Sequence, residues 1–137
     1  MLEKDYIMRI IQAFMEAVGR ITKSINDNDL SKARIHIDET YDLVGNSSGF
    51  FLEKDTPDIV DFLKSKEDDY LKRVSMLAEL MQLDATVENK QGKELELLKK
   101  SKLLYEHYIA SSKDFSIDIN NKLAKVNSRL KELEGDS

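Results

Sequence analysis

Residues 2–26 read LEKDYIMRIIQAFMEAVGRITKSIN. Apolar residues recur in this stretch at steps of three and four, which is the period of one face of an α-helix. They are Leu2, Tyr6, Ile7, Ile10, Ile11, Phe14, Val18, Ile21 and Ile25. At 1.5 Å per residue such a helix would be roughly 35 Å long, about the width of a domain of this size. We therefore expect one long first helix, with every later element packed along it or beside it.

A polar turn follows this stretch. Residues 26–29 read NDND and supply good N-cap residues, and a second apolar stripe predicts a helix from about Leu30 to Val44. Gly45 stands where a glycine commonly ends a helix. Because so short a turn leaves little choice of geometry, residues 2–45 should form an antiparallel helical hairpin.

A shorter segment and a second hairpin are expected next. Residues 46–49 read NSSG and predict a loop, and a Thr-Pro-Asp start predicts an inserted short helix over 56–65. Two longer helices on either side of the Gln91-Gly92 break should then form a second hairpin over residues 66–110.

The last helix, expected over residues 113–134, has a narrow apolar seam. Its members recur at the steps of a coiled coil and are Phe115, Ile119, Leu123, Val126, Leu130 and Leu133. The inner part of the seam should cover the fifth helix as a cap. One alternative stays open: Leu130 and Leu133 overhang the fifth helix and pair with a second copy, which would make a homodimer.

Composition points to one soluble all-α domain over residues 1–137. Hydrophobic residues make up 41% of the chain and charged residues 34%, and one proline with five glycines leaves few helix breaks. No strand-like alternation is clear. The absence of cysteine excludes disulfides, thiolate nucleophiles and Cys-based zinc sites, and is compatible with the cytoplasm, where we expect the protein to reside.

The two hairpins resemble tetratricopeptide units. Residues 28–30 resemble the turn of that motif, with Ala33 as the small and Ile37 as the large residue of the second helix. In the second hairpin, Ala85 is a small residue ahead of the Gln91-Gly92 turn. The resemblance implies about six helices in packed antiparallel hairpins, a right-handed tetratricopeptide-like (TPR-like) stack. The turns lie 64 residues apart rather than the 34 of a regular array, because the short helix is inserted.

The opening residues 1–10, MLEKDYIMRI, carry a second resemblance. They are similar to the start of a family of uncharacterised bacterial helical proteins with degenerate tetratricopeptide-like hairpins. That resemblance implies the same fold over most of the chain and brings no assigned activity.

The sequence contains no convincing metal site. A di-iron bundle needs Glu-x-x-His motifs, but Ala33 and Leu104 stand three residues before His36 and His107. A weaker candidate is His36 with three neighbouring acids, which are Asp38, Glu39 and Asp42; a solvated helix face explains them better. The calcium-loop spacing of Asp27, Asp29 and Ser31 fails because Lys32 occupies the required glycine position.

Nucleotide and hydrolase motifs are absent as well, so we predict no catalytic residue, no cofactor and no enzymatic activity. The net charge is −5, and acids interrupt the one lysine-rich stretch, so no nucleic-acid partner is expected. That stretch consists of Lys90, Lys93, Lys99, Lys100 and Lys102. No apolar run is long enough for a transmembrane helix, so no membrane partner is expected either.

Binding is the function that remains. Stacked helical hairpins create surfaces that hold a peptide or a helix, so we expect a non-enzymatic interaction module with a protein or peptide partner. The adjacent Phe50 and Phe51 cannot both face one core stripe, so one of them is a candidate partner contact, with Leu130 and Leu133 as further candidates. The alternative for the two phenylalanines is that both pack under the inserted segment. The alternatives for the function are a structural homo-oligomer and a small-ligand binder or enzyme with an unrecognised site.

Overall fold

A computed structural model describes residues 2–66 and 69–135. Within these ranges the chain is all-α, as predicted, and contains no β-strand. The described residues form seven helices rather than about six: α1 (Leu2–Asn26), α2 (Leu30–Val44), α3 (Ser48–Glu53), α4 (Thr56–Lys64), α5 (Tyr70–Val87), α6 (Gln91–Ser111) and α7 (Ile117–Leu133).

The additional helix is α3, which begins inside the expected loop at residues 46–49. Its N-cap is Ser47, whose side chain accepts a hydrogen bond from the backbone N–H of Phe50 over 3.2 Å. Such a cap satisfies a backbone donor at the first turn and so allows a helix to start. Because α3 has only six residues, it is too short to display a helical period in the sequence.

Two further boundaries differ from the prediction. Ser65 ends α4, and the N-cap of α5 is Asp69, so the second hairpin begins at Tyr70 rather than at residue 66. Residues 67 and 68, which fall at the start of the expected second hairpin, lie outside the described residues. At the other end, Ser116 caps α7, which therefore begins at Ile117 rather than at residue 113.

The centre of the molecule is α5 rather than α1. It forms a hairpin with α6 and also packs against α1, α2, α4 and α7, whereas α1 packs mainly against α2 and α5. Leu77, Leu80 and Met81 of α5 are fully buried. A helix covered on most of its sides has a weak apolar period, whereas a helix with one wet face, such as α1, has a strong one. The strength of its pattern made α1 look like the organising element.

Polar contacts fasten α2 to α5 across the two hairpins. Asp84 of α5 is only 1% exposed, and its two carboxylate oxygens accept hydrogen bonds from Arg34 Nη2 and from the Tyr41 hydroxyl, each over 2.7 Å. Near the other end of the interface, Arg73 donates to the carbonyl of Val44 over 2.6 Å. These bonds satisfy polar groups that burial would otherwise make costly.

Candidate functional site

An open groove runs between α4 and α6. Two adjoining hollows of about 460 Å³ and 580 Å³ make it up, and they share Thr56 and Pro57 of α4 and Leu103 of α6. The residues that line its α6 wall extend from Gly92 to His107, which corresponds to roughly 22 Å along a helix. The groove is therefore long and narrow, and it has a wall on each side.

Lys100 attaches the inserted segment to α6. Its ammonium group donates to three backbone carbonyls at the end of α3, those of Phe51, Leu52 and Lys54, over 3.3, 2.7 and 2.6 Å. These carbonyls have no further helical turn to bond to. Because Lys54 directly precedes the N-cap Asp55, this contact sets where α4 begins beside α6.

An aromatic cluster also packs within and against the same segment. The ring of Phe50 lies 5.3 Å from that of Phe51 and 4.6 Å from that of Phe62, and the ring of Phe51 lies 6.3 Å from that of Tyr41. Phe51 is fully buried and Phe50 is half-buried. Both phenylalanines thus pack under the inserted segment, and Phe51 has no surface to offer a partner.

The floor of the groove is apolar. Pro57 and Val60 contribute from α4, and Leu95 and Leu103 contribute from α6. Leu103 is 48% exposed, although it lines both hollows. A large aliphatic side chain left half open inside a concave surface is typical of a binding site.

Charged side chains form the rims. The acids are Asp55 and Asp61 on α4 and Glu96 and Glu106 on α6, and the bases are Lys64, Lys99 and Lys100. Lys100 is occupied by the carbonyls described above, and its ammonium also lies 3.8 Å from Glu96. The groove is therefore apolar along its floor and charged along both edges.

His107 closes the end of the groove near the start of α5. Its Nε2 lies 3.3 Å from the hydroxyl of Tyr70 and 3.5 Å from that of Ser111. Burial and the neighbouring ammonium of Lys64 lower the pKa of His107 below its usual value. The ring is consequently neutral at pH 7. Within the described part of the chain its hydrogen-bonding neighbours are hydroxyls, and none of them is a carboxylate of the kind that orients a general base.

The other candidate contacts, Leu130 and Leu133, lie on α7 and do not join this groove. Leu130 is 5% exposed and belongs to the hydrophobic core, and Leu133 is half-buried against that core. The seam of α7 thus packs inside the chain, on α6 and α5, as the cap interpretation expects. Phe115 lies before the helix, is 80% exposed, and does not belong to the seam.

The weaker metal candidates have other roles in the structure. His36 Nδ1 lies 3.6 Å from the carboxylate of Glu39, and no group of three or more potential ligands occurs among residues 2–66 and 69–135. Asp29 caps α2 by accepting from the N–H of Lys32 over 3.1 Å, and Asp27 pairs with Lys23 over 3.1 Å.

The sequence does not predict Leu103, the α6 residue shared by both hollows, as a site residue. The signal that could have found it is the pair Leu103-Leu104, because two adjacent leucines on a helix are about 100° apart and cannot both face one core stripe. Leu104 is fully buried, so Leu103 is the one turned away from the core. Phe50 and Phe51 are also adjacent in sequence, but there the extra short helix α3 accommodates both rings.

Comparison of the chain with protein-family models, with curated proteins and with solved structures finds no match. The family resemblance carried by residues 1–10 therefore stays a prediction. None of the helices in the described part of the chain is long and apolar enough to cross a membrane.

Proposed function

We propose that the protein is a non-enzymatic interaction module that holds an α-helix of a partner protein in the groove between α4 and α6. The observation that carries this proposal is the exposed apolar floor around Leu103, which lies between two helical walls. The exposed apolar surface of Leu103 costs free energy in water, and covering it with a partner is therefore favourable.

The walls favour a helix as the occupant. An extended peptide that binds by strand addition needs unpaired backbone donors and acceptors, as at the edge of a β-sheet. Both walls here are α-helices, whose backbone groups are bonded within the helix. A helical ligand satisfies its own backbone and needs only side-chain contacts, as in other helix-in-groove complexes. A helix of about 15 residues matches the length of the α6 wall.

The arrangement of the hairpins supports a TPR-like stack as the scaffold. In such stacks each hairpin contacts only its neighbours, and the packing relation repeats along the chain. Here α5 packs against both helices of the first hairpin, α2 and α1, and α7 packs against both helices of the second hairpin, α6 and α5. The resemblance of residues 1–10 supports placing this scaffold in a bacterial family.

The test is affinity capture from the native cell with matched variants. Leu103→Glu puts a charge on the groove floor, and Ile35→Glu makes the same kind of change at a 58% exposed position on α2. We expect one stoichiometric partner with wild type and with Ile35→Glu, and its loss with Leu103→Glu. Equal capture by all three proteins would refute the groove as the binding site. Circular dichroism of each variant checks that it is folded.

A further inference from the structure

We infer that the helix held by the groove is basic and amphipathic, with an apolar stripe that faces the floor and lysine or arginine residues on both flanks. This inference rests on the proposed function and adds the chemistry of the partner. It follows from the charges that remain available along the two rims.

Acids stand on both edges of the apolar floor. Asp55 and Asp61 lie on the α4 edge, and Glu96 and Glu106 lie on the α6 edge. Asp61 and Glu106 are exposed, and neither has an ion-pair partner within residues 2–66 and 69–135. A helix lying between them would place one flank near each acid.

The lysines of the groove already have neighbours in the chain. Lys100 donates to backbone carbonyls, as described above. Lys99 lies 3.9 Å from Glu134, and Lys64 lies over the ring of Tyr70, 5.3 Å from its centroid. Among the rim acids, Asp55 accepts the backbone N–H of Asp58 and Glu96 lies 3.8 Å from Lys100. Asp61 and Glu106 are therefore the acids that remain for a ligand, whereas each of the three lysines has a neighbour. His107 is neutral at pH 7 and does not change this balance.

The physical expectation is a modest and salt-dependent preference. Ion pairs at exposed rims contribute little each, and salt weakens them further. A pair on each of the two flanks nevertheless acts together with the other. They also orient a ligand whose apolar stripe already faces the floor, and charge complementarity of this kind mainly sets specificity and the rate of association.

The experiment uses two designed helical peptides of about 15 residues as probes. Both carry leucines on one face at the helical period. The first has lysines on the two flanks of that face, and the second has glutamates at the same positions. Fluorescence anisotropy of the labelled peptides measures binding to the full chain in low salt and at about 0.15 M salt.

Two double variants of the protein carry the same change in net charge. Asp61→Lys with Glu106→Lys reverses the rims, whereas Glu16→Lys with Asp42→Lys reverses two exposed acids on α1 and α2 outside the groove. We expect the lysine peptide to bind wild type and the control variant alike. Rim reversal should weaken its binding about tenfold and favour the glutamate peptide instead.

The outcomes separate the two proposals. If both peptides bind equally well and Leu103→Glu abolishes both, the groove holds a helix but has no charge preference, and the present inference is wrong. An equal loss in the rim and control variants would assign the effect to the net charge of the whole protein and would also overturn it. If neither peptide binds at millimolar concentration, the proposed function fails together with the inference.

Discussion

At the scale of single residues, Asp84 shows how one buried charge can join two hairpins. Its carboxylate receives one donor from an arginine and one from a tyrosine, both on α2. A buried carboxylate stripped of a donor costs free energy, so each donor matters more than the average surface hydrogen bond. Burial and the adjacent Asp84 raise the pKa of the Tyr41 hydroxyl well above its usual value, so the hydroxyl keeps the proton that it donates.

Replacement of Tyr41 by phenylalanine tests this contact. Tyr41→Phe keeps the ring in the core but leaves Asp84 Oδ2 without its donor, so we expect a loss of about 1–3 kcal/mol in the free energy of unfolding, measured by urea denaturation. Tyr108→Phe is the matched control, because Tyr108 is half-buried and its hydroxyl makes no hydrogen bond among the described residues. Equal effects of the two substitutions would show that the hydrogen bond from the Tyr41 hydroxyl adds nothing measurable to stability.

Single residues also mark where sequence reasoning reaches its limit. The burial of Phe14 and Ile37 follows from their period, which is a local property of the sequence. Asp84 sits on a buried face of α5, and only its tertiary partners on a distant helix make that burial acceptable. Leu103 departs from the core period, but the groove around it depends on where α4 lies. That position depends on the buried face of α4 and on the bonds of Lys100 to carbonyls distant in sequence.

At the scale of elements, the placement of α4 decides whether a groove exists. The helix is only nine residues long, which is short for a helix that must be stable without tertiary contacts. Ile59 and Leu63 are fully buried and provide its anchoring face, and the bonds of Lys100 fix the chain just before it. Removal of the ammonium group should therefore loosen the inserted segment more than the rest of the molecule.

Lys100→Met tests the placement of α4 and keeps most of the side-chain volume. We expect faster amide hydrogen exchange over residues 48–64 and a loss of about 1–3 kcal/mol in the free energy of unfolding, because three carbonyls lose their donor. Lys102→Met on the same helix is the control, since Lys102 makes no hydrogen bond or ion pair among the described residues. Unchanged exchange over residues 48–64 in Lys100→Met would mean that the aromatic cluster alone holds the segment.

The elements predicted correctly are those with long periods and clear caps. The bounds of α1 and α2 follow from their stripes and from the turn between them, and the structure has them where the sequence places them. Two errors of the sequence-based prediction share a physical cause: α3 was not predicted, and α7 begins later than predicted. Ser47 and Ser116 each accept one backbone N–H and start a helix there, but serines are common in loops as well. Only the tertiary context shows which serines act as caps.

At the scale of the whole molecule, α5 makes the two hairpins one cooperative unit. It belongs to the second hairpin by sequence and covers the first hairpin by packing. The core runs without interruption from Ile7 of α1 to Leu130 of α7. A repeat array in which each unit contacts only its neighbours can unfold in stages when an interface is weak. Here the shared helix predicts that both hairpins lose structure together.

The substitution Leu77→Ala tests this cooperativity. Leu77 lies on α5 and is fully buried, so its truncation leaves a cavity and should lower the free energy of unfolding by about 2–5 kcal/mol. Because α5 contacts both hairpins, hydrogen exchange under native conditions should accelerate to a similar extent in peptides from α1–α2 and from α6–α7. Leu103→Ala is the matched control, since that leucine is half exposed and its truncation should cost far less. If exchange accelerated only in α6–α7 while α1–α2 kept its full protection, the hairpins would be separate folding units and α5 would not couple them.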